Sequence, residues 1–419
     1  VNDAIKTEPV EKHEKPRLRW IAGQFFKIGA LGFGGGVAII ALMREQCVTR
    51  RKCLSDEEFL HGVSLGQFLG SFAVNSAFFI GYRMRGLIGG LTAATSFLAP
   101  SVSLVILLSA LYGAAQKAEL FQQAMQGASP VVLALILSAA FGLGKSALKT
   151  PLAWALAIMG LAGTLLHWPL AMLILVGAGV GILFTRCVPA ASPSPANSSA
   201  PHREPSAGDK QAPAVIAAGV HTTTTATVLK TGAAGAATAA SSISMLGMLW
   251  LFLKIGCLFF GGGYVLVPLL QRELVDTRHL LSMQEFLNGV AISQLTPGPI
   301  AVLATFAGYR LHGVLGAIFA TAALYVPATV LMIIISHAYT RFRNLEIVQL
   351  MLKSIGAVIV GMIVASAVQL APHSSISLTH PAGIILGIVA FVLLLRRWHP
   401  AFLLVGGALL GVFFPGAFV

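Results

Sequence analysis

The sequence predicts an all-α polytopic transmembrane bundle of two homologous halves, with about 12–13 spans and broken or re-entrant helices. Three observations lead there. Of the 419 residues, 56% are hydrophobic and only 10% charged, whereas soluble domains carry about 25% charged residues. Uncharged apolar runs near 86–112, 128–144, 169–185, 313–336 and 354–371 reach the roughly 20 residues of a membrane-crossing helix. The third is an internal repeat. FFKIGALGFGGG, starting at Phe25, matches FLKIGCLFFGGG, starting at Phe252. The same register pairs Glu58-Phe59-Leu60 with Glu285-Phe286-Leu287, Gln67 with Gln294, Gly81-Tyr82-Arg83 with Gly308-Tyr309-Arg310, and Pro100 with Pro327. One register held across so many uncommon residues is a duplication.

Residues 1–19 form a basic tail holding Lys6, Lys12, Lys15, Arg17 and Arg19. The first apolar run follows acids as well as bases and lacks a small-residue cleavage site, so it reads as a retained span. The first repeat occupies 20–186 and the second 243–419, each with about six apolar segments of which the first two are interrupted. Between them, 187–242 is rich in Ser, Pro, Ala and Thr. Its first part reads as a flexible linker, whereas its Ala/Thr part is ambiguous between coil and span. Equivalent loops carry opposite charge bias. The loop at Lys145 and Lys149 is basic while its counterpart, APHSSISLTHP, has no Lys or Arg, and His167-Trp168 faces Arg396-Arg397-Trp398. That is expected of inverted-topology repeats. Six crossings per half would leave the halves parallel. Inversion needs either an extra crossing in the linker, giving about 13 spans, or a re-entrant interrupted segment.

The net charge of +13 is a topology signal, because most cations flank apolar segments and no aromatic stripe accompanies them; nucleic acid is not an expected partner. The four cysteines form no CxxC pair, so neither a disulfide framework nor a metal site is expected. Gly144-Lys145-Ser146 resembles the end of a P-loop, but Ala139 stands where its first glycine belongs. No HExxH occurs, so an enzyme is not expected, and no cofactor.

Two clusters are candidates for substrate binding. Gly32, Gly34, Gly35 and Gly36, matched by Gly261, Gly262 and Gly263, weaken a helix by about 1 kcal/mol each relative to Ala. They can unwind to present backbone N–H groups to an anion, or serve close helix packing. Gln294-Leu295-Thr296-Pro297-Gly298-Pro299 must break a helix, and its first-half counterpart begins at Gln67 and has Gly70-Ser71-Phe72 instead. Matched broken helices mark a transporter's midplane site, although a plain kink would look the same. Lys27 and Lys254, inside apolar runs, either neutralise an anion or snorkel. Arg83 and Arg310 either fork an oxyanion or set topology. No acid lies inside an unambiguous span, which favours an anion over a cation as cargo. Glu58 and Glu285 stand at capping-box spacing from Ser55 and Ser282. His61, His312 and His337 are candidates for proton coupling or for interfacial hydrogen bonds.

The motifs Phe-Phe-Lys-Ile-Gly…Gly-Gly-Gly, Phe-Leu-Lys-Ile-Gly…Gly-Gly-Gly-Tyr and Gln-Leu-Thr-Pro-Gly-Pro-Ile-Ala…Gly-Tyr-Arg resemble the chromate ion transporter family in its long two-domain form. The resemblance runs from Trp20 to the end, excluding the linker, and the first half departs from it by lacking Thr-Pro-Gly-Pro. It implies efflux of chromate across a bacterial inner membrane, conferring resistance, driven by the membrane potential or a proton gradient. The alternative is a sulfate or general oxyanion transporter. Expected partners are chromate, with sulfate as a competitor, membrane lipid and, in an oligomer, a second copy forming a homodimer.

Overall fold

A computed structural model of the chain describes residues 16–32, 36–68, 70–187, 243–259, 262–342, 346–375 and 381–418. Among the described residues every regular element is helical. The first half contains α1 (Leu18–Leu31), α2 (Gly36–Arg44, running on as a π-helix over Glu45–Arg50), α3 (Asp56–Phe68), α4 (Phe72–Ala115), α5 (Glu119–Ala147), α6 (Pro151–Leu165) and α7 (Leu170–Cys187). The second half repeats the series as α8 (Met245–Leu258), α9 (Leu266–Leu270, running on as a π-helix over Gln271–Thr277), α10 (Met283–Leu295), α11 (Leu303–Phe342), α12 (Glu346–Leu370), α13 (Pro381–Leu395) and α14 (Pro400–Phe413). Phe72–Ala115, Glu119–Ala147, Ile300–Ile334 and Lys353–His373 are long and apolar enough to cross a membrane.

The two longest helices each contain a sharp reversal. Arg85 and Gly86 take φ −142° and +63°; His312 and Gly313, their repeat partners, take φ −140° and +62°. Only glycine accepts that second conformation without strain. In a straight helix Gly81 and Gly89 would stand about 12 Å apart. Here a Cβ on Gly81 would lie 2.3 Å from the Gly89 carbonyl oxygen, and a Cβ on Gly308 equally close to Gly316. Each of α4 and α11 is therefore a short arm folded back on a long one, with glycines where backbones touch.

The interrupted segments at the start of each half are hairpins as well. Lys254 Nζ lies 2.5 Å from Glu273 Oε1, although a straight helix would separate these residues by about 28 Å. The Arg51 guanidinium sits 5.2 Å from the Trp20 ring centroid, which closes the corresponding hairpin of α1 and α2. Arg310 Nη2 meets Glu285 Oε1 at 2.6 Å across α10 and the short arm of α11, and Arg83 meets Glu58 in the same way across α3 and the short arm of α4. An arm of 14 residues is about 21 Å long, short of the roughly 30 Å hydrocarbon core. Both interrupted segments of each half are thus re-entrant, where the sequence offered re-entrance of one as an alternative to an extra crossing. The Ala/Thr stretch in which that crossing was expected lies outside the described residues.

The halves are inverted. A Cβ on Gly144 would meet Val360 at 3.6 Å, and one on Gly356 would meet Ala147 at 3.9 Å. As α5 advances, its repeat partner α12 recedes, so equivalent helices run antiparallel. Gly127, Gly407 and Gly411 give α5 and α14 the same antiparallel closeness, and α12 packs reciprocally against α6 and α7. Arg85 Nε donates to the Pro16 carbonyl at 2.8 Å, placing the α4 reversal at the face where α1 begins. The related contact, His312 Nε2 to the Ile243 carbonyl at 2.9 Å, does so at the opposite face. His312 is thus engaged at a turn, while the side chains of His61 and His337 lie outside the described residues. The face where α1 begins carries Arg17, Arg19, Arg50, Arg51, Lys52, Arg83, Arg85, Lys145, Lys149, Lys353, Arg396 and Arg397; the other carries Lys117, Arg272, Arg278 and Arg310.

The backbone contact between Gly308 and Gly316 predicts that Gly308→Ala destabilises the fold by about 1–3 kcal/mol through overpacking. Gly142→Ala, where a Cβ meets nothing within 4 Å, is expected to be neutral. Thermal unfolding of the two variants in detergent checks the contrast.

Candidate functional site

The four re-entrant tips meet at the centre of the fold, each half's second tip against the other half's first. The Gly298 N–H donates to the Gly32 carbonyl at 3.2 Å. At the repeat-related junction, a Cβ on Gly70 would fall 2.1 Å from the Phe259 carbonyl oxygen. Gly70, Gly262 and Gly298 have φ of +94°, +131° and +105°, which the chain adopts freely only at glycine. Ser101, one residue after the proline within the long arm of α4, donates its hydroxyl to the Pro297 carbonyl. Packing this dense leaves little room for side chains, and that is why the tips are built of Gly, Ser and Pro.

What the junction offers chemically is a set of backbone N–H groups and hydroxyls. Each second arm begins there, so helix starts with unpaired N–H groups converge. The first arms end there too, and their carbonyls oppose that field; the Gly32 carbonyl is already taken up by Gly298. Around the tips, Gln294 Nε2 donates to Tyr264 Oη at 2.8 Å and Thr296 Oγ1 donates to the Ser293 carbonyl at 2.9 Å. Ser71, Asn75 and Ser76 are buried on the first turn of α4. Ser76 Oγ is buried with no hydrogen-bond partner, a costly state for a hydroxyl in an apolar interior, and the buried Tyr325 hydroxyl faces the Ser71 side chain. No Asp or Glu occurs within 29–40, 66–76, 256–270 or 292–305. Among the described residues no cluster of His, Cys, Asp and Glu could hold a metal ion.

The sequence-predicted residues divide between the tips and the arms. Gly36, Gly262, Gly263, Thr296, Pro297, Gly298 and Pro299 are at the junction, with Gln294 one turn away. Gln67 lies at the end of α3 with its side chain outside the described residues, as are Gly34, Gly35 and Gly261 altogether. Lys254 stands about 10 Å from its tip and is paired with Glu273, whose side chain is 17% exposed. This acid lies within an apolar arm although it is in no crossing span, and Arg278 Nε approaches its other oxygen at 3.5 Å. Lys27, its repeat partner, is exposed, and Gln46 stands where Glu273 would be. Arg83 and Arg310 are at the hairpin bases, about 18 Å from the tips. Their partners Glu58 and Glu285 also close capping boxes, with Ser55 and Ser282 hydroxyls accepting from their backbone N–H groups at 3.2 and 3.1 Å.

Sequence reasoning missed Ser71, Ser76, Ser101, Tyr264 and Tyr325. Tyr264 directly follows the second glycine triplet, and Ser71 sits in the register of Gly298, so the repeat alignment could have found both. Ser76, Ser101 and Tyr325 belong to the site only through folding. A mostly apolar cavity of about 840 Å³, lined by Leu137, Phe141, Trp154, Val364 and Ile388 among others and by one cation, Lys145, lies between the halves.

The ion pair inside the second hairpin predicts a measurable coupling. Lys254→Ala and Glu273→Ala are each expected to weaken the fold, and the double variant by less than their sum. The interaction is about 0.5–1 kcal/mol, because the lysine is half exposed. A double-mutant cycle on thermal unfolding measures it.

The family model described as Chromate transporter matches residues 20–182 and again 246–412. A chromate transport protein of Cupriavidus metallidurans is 25% identical over 408 residues, covering 94% of this chain and 92% of the relative. A chromate transport protein of Pseudomonas aeruginosa is 28% identical over 361 residues, covering 83% and 80%. An uncharacterised transporter of Bacillus subtilis is 30% identical over 162 residues, which is 38% of this chain but 91% of that protein; one half of the fold therefore corresponds to a whole relative. No solved structure matches. With both halves matched, and with Gly36, Gly262, Gly263 and the Thr-Pro-Gly-Pro motif at the junction of the two halves, the chain belongs to the chromate transporter family.

Proposed function

We propose that this chain is a secondary active transporter that exports chromate across the bacterial inner membrane and so confers chromate resistance. The observation that carries the reading is the junction of four re-entrant tips, rich in backbone N–H groups and hydroxyls and free of carboxylates. A tetrahedral dianion can exchange its hydration shell for such donors, whereas a cation would need the missing acids. Family membership and the chromate transport relatives favour chromate over sulfate as cargo.

In this mechanism the N–H groups at Gly36 and Gly263 receive the oxyanion together with Ser71, Tyr264 and Tyr325, while the Thr296–Pro299 break holds the tips together through the Gly298 N–H. Lys27 supplies positive potential from about 10 Å away, Lys254 does so as part of the net positive Lys254–Glu273–Arg278 cluster, and inversion of the halves lets the site open alternately to either side. The face where α1 begins is the cytoplasmic one, because it holds the great majority of Lys and Arg. No step forms or breaks a covalent bond.

Uptake of radiolabelled chromate into everted membrane vesicles tests the reading. Energised vesicles holding the protein are expected to accumulate chromate against its gradient, and vesicles without it are not. Excess sulfate is expected to inhibit, since it matches the shape and charge of chromate. Lys254→Ala, and Pro297→Ala combined with Pro299→Ala, are expected to reduce accumulation at least tenfold at unchanged protein level. Robust sulfate movement without chromate movement would replace chromate by a general oxyanion as the cargo.

A further inference from the structure

We infer that Tyr112 is the lid of a gate on the external side of the transport path, closed over the Glu285–Arg310 pair that clasps the base of its hairpin; Glu58–Arg83 is the matching clasp at the other face. The inference rests on the transport reading above and deepens it by naming the group that closes the external side.

The two clasps are related by the repeat and stand at opposite faces, because each closes the base of a hairpin that enters from its own side. Equivalent by sequence, they differ in surroundings. At the basic face, the Arg83 side chain is 49% exposed and that of Glu58 35%. At the other face, Arg310 is 14% exposed and Glu285 25%. Tyr112, near the end of the long arm of α4 and so contributed by the opposite half, covers the second pair; the side chain of its repeat partner, Tyr339, lies outside the described residues. The Tyr112 ring lies over the Arg310 guanidinium at 5.4 Å. The ring is held edge-on between Phe121 at 5.6 Å and Phe306 at 5.6 Å. Its hydroxyl accepts from Asn288 Nδ2 at 3.3 Å, and Asn288 Oδ1 accepts in turn from Gln284 at 3.3 Å.

This arrangement is more than a structural ion pair. Arg310 Nε is buried with no hydrogen-bond partner. A buried donor left unpaired costs free energy and calls for an explanation, and a guanidinium that changes partners during a cycle is one. The clasp joins the two arms of one hairpin, whereas Tyr112 joins the halves. Rotation of one half against the other would therefore lift the tyrosine from Arg310 while leaving the glutamate–arginine pair intact. Asn288, which orients the tyrosine hydroxyl, is a positioning residue.

The test compares Tyr112→Ala with Tyr112→Phe in the full chain, by two readouts. In vesicles, Tyr112→Ala is expected to retain or raise downhill chromate flux while uphill accumulation falls about tenfold; Tyr112→Phe, which keeps the ring, stays within about twofold of the parent. A residue serving stability alone would lower both fluxes together in proportion to protein amount, and that result would overturn the proposal. The second readout needs no chromate and so separates failure of the gate from failure of the cargo assignment. With Cys47, Cys53, Cys187 and Cys257 replaced by Ala, Ser293→Cys, buried deeper along α10 than Asn288, is exposed to a membrane-impermeant maleimide from the external face. Labelling is expected to be slow with Tyr112 present and at least tenfold faster with Tyr112→Ala. Equal rates would sink the lid. Should the alanine variant fail to fold, Tyr112→Leu retains apolar bulk against Phe121 and Phe306 but offers no π-face to the guanidinium, and the same two outcomes apply.

Discussion

Lipid cannot hydrogen-bond a peptide group, and that constraint decides where this chain is allowed to break its helices. Breaks follow α1, α3, α8 and α10, and the described residues at all four are brought to one place. There they meet one another, as in the Gly298 N–H to Gly32 carbonyl bond, instead of meeting acyl chains. A single re-entrant tip in hydrocarbon would strand its polar groups; four tips from two opposed halves shield each other. The site and the symmetry are thus consequences of one requirement.

The repeat made most of the fold legible. Aligning Phe25 with Phe252 carries the glycine triplets, the glutamates, the arginines and even the reversal at Gly86 and Gly313 into register, and the dihedral angles of the two reversals agree to within a few degrees. The loop charges at Lys145, Lys149, Arg396 and Arg397 gave the inversion. Less was legible of the site. Lysines and arginines inside apolar runs look like ligands in one dimension, yet Arg83 and Arg310 are held at hairpin bases because each is claimed by a glutamate 25 residues earlier. Nothing local in the sequence announces that pairing. Ser101 and Tyr325 were invisible for a related reason: a serine in an apolar helix usually bonds to its own backbone one turn back, as Ser109 does, and only the other half's tip redirects Ser101.

The two halves have diverged where their duties differ. Gly70-Ser71-Phe72 stands against Pro297-Gly298-Pro299, Leu98 against Tyr325, and Gln46 against Glu273. The second half keeps the two-proline tip, the buried Tyr325 and the Lys254–Glu273 ion pair, while the first half supplies Ser71 and Ser101.

One geometric feature constrains how such a molecule can be assembled. Each half is built from segments that bring the chain back to the face from which it started, so Cys187 ends at the basic face while Ile243 begins at the other. A short turn cannot join these two points. A protein of half this length, such as the Bacillus subtilis relative, could build the same junction only if its two copies were inserted head-down and head-up. Fusing such a pair into one polypeptide therefore needs a connection whose ends lie on opposite sides of the bilayer. The bipolar layout of the modern chain is a record of that assembly problem.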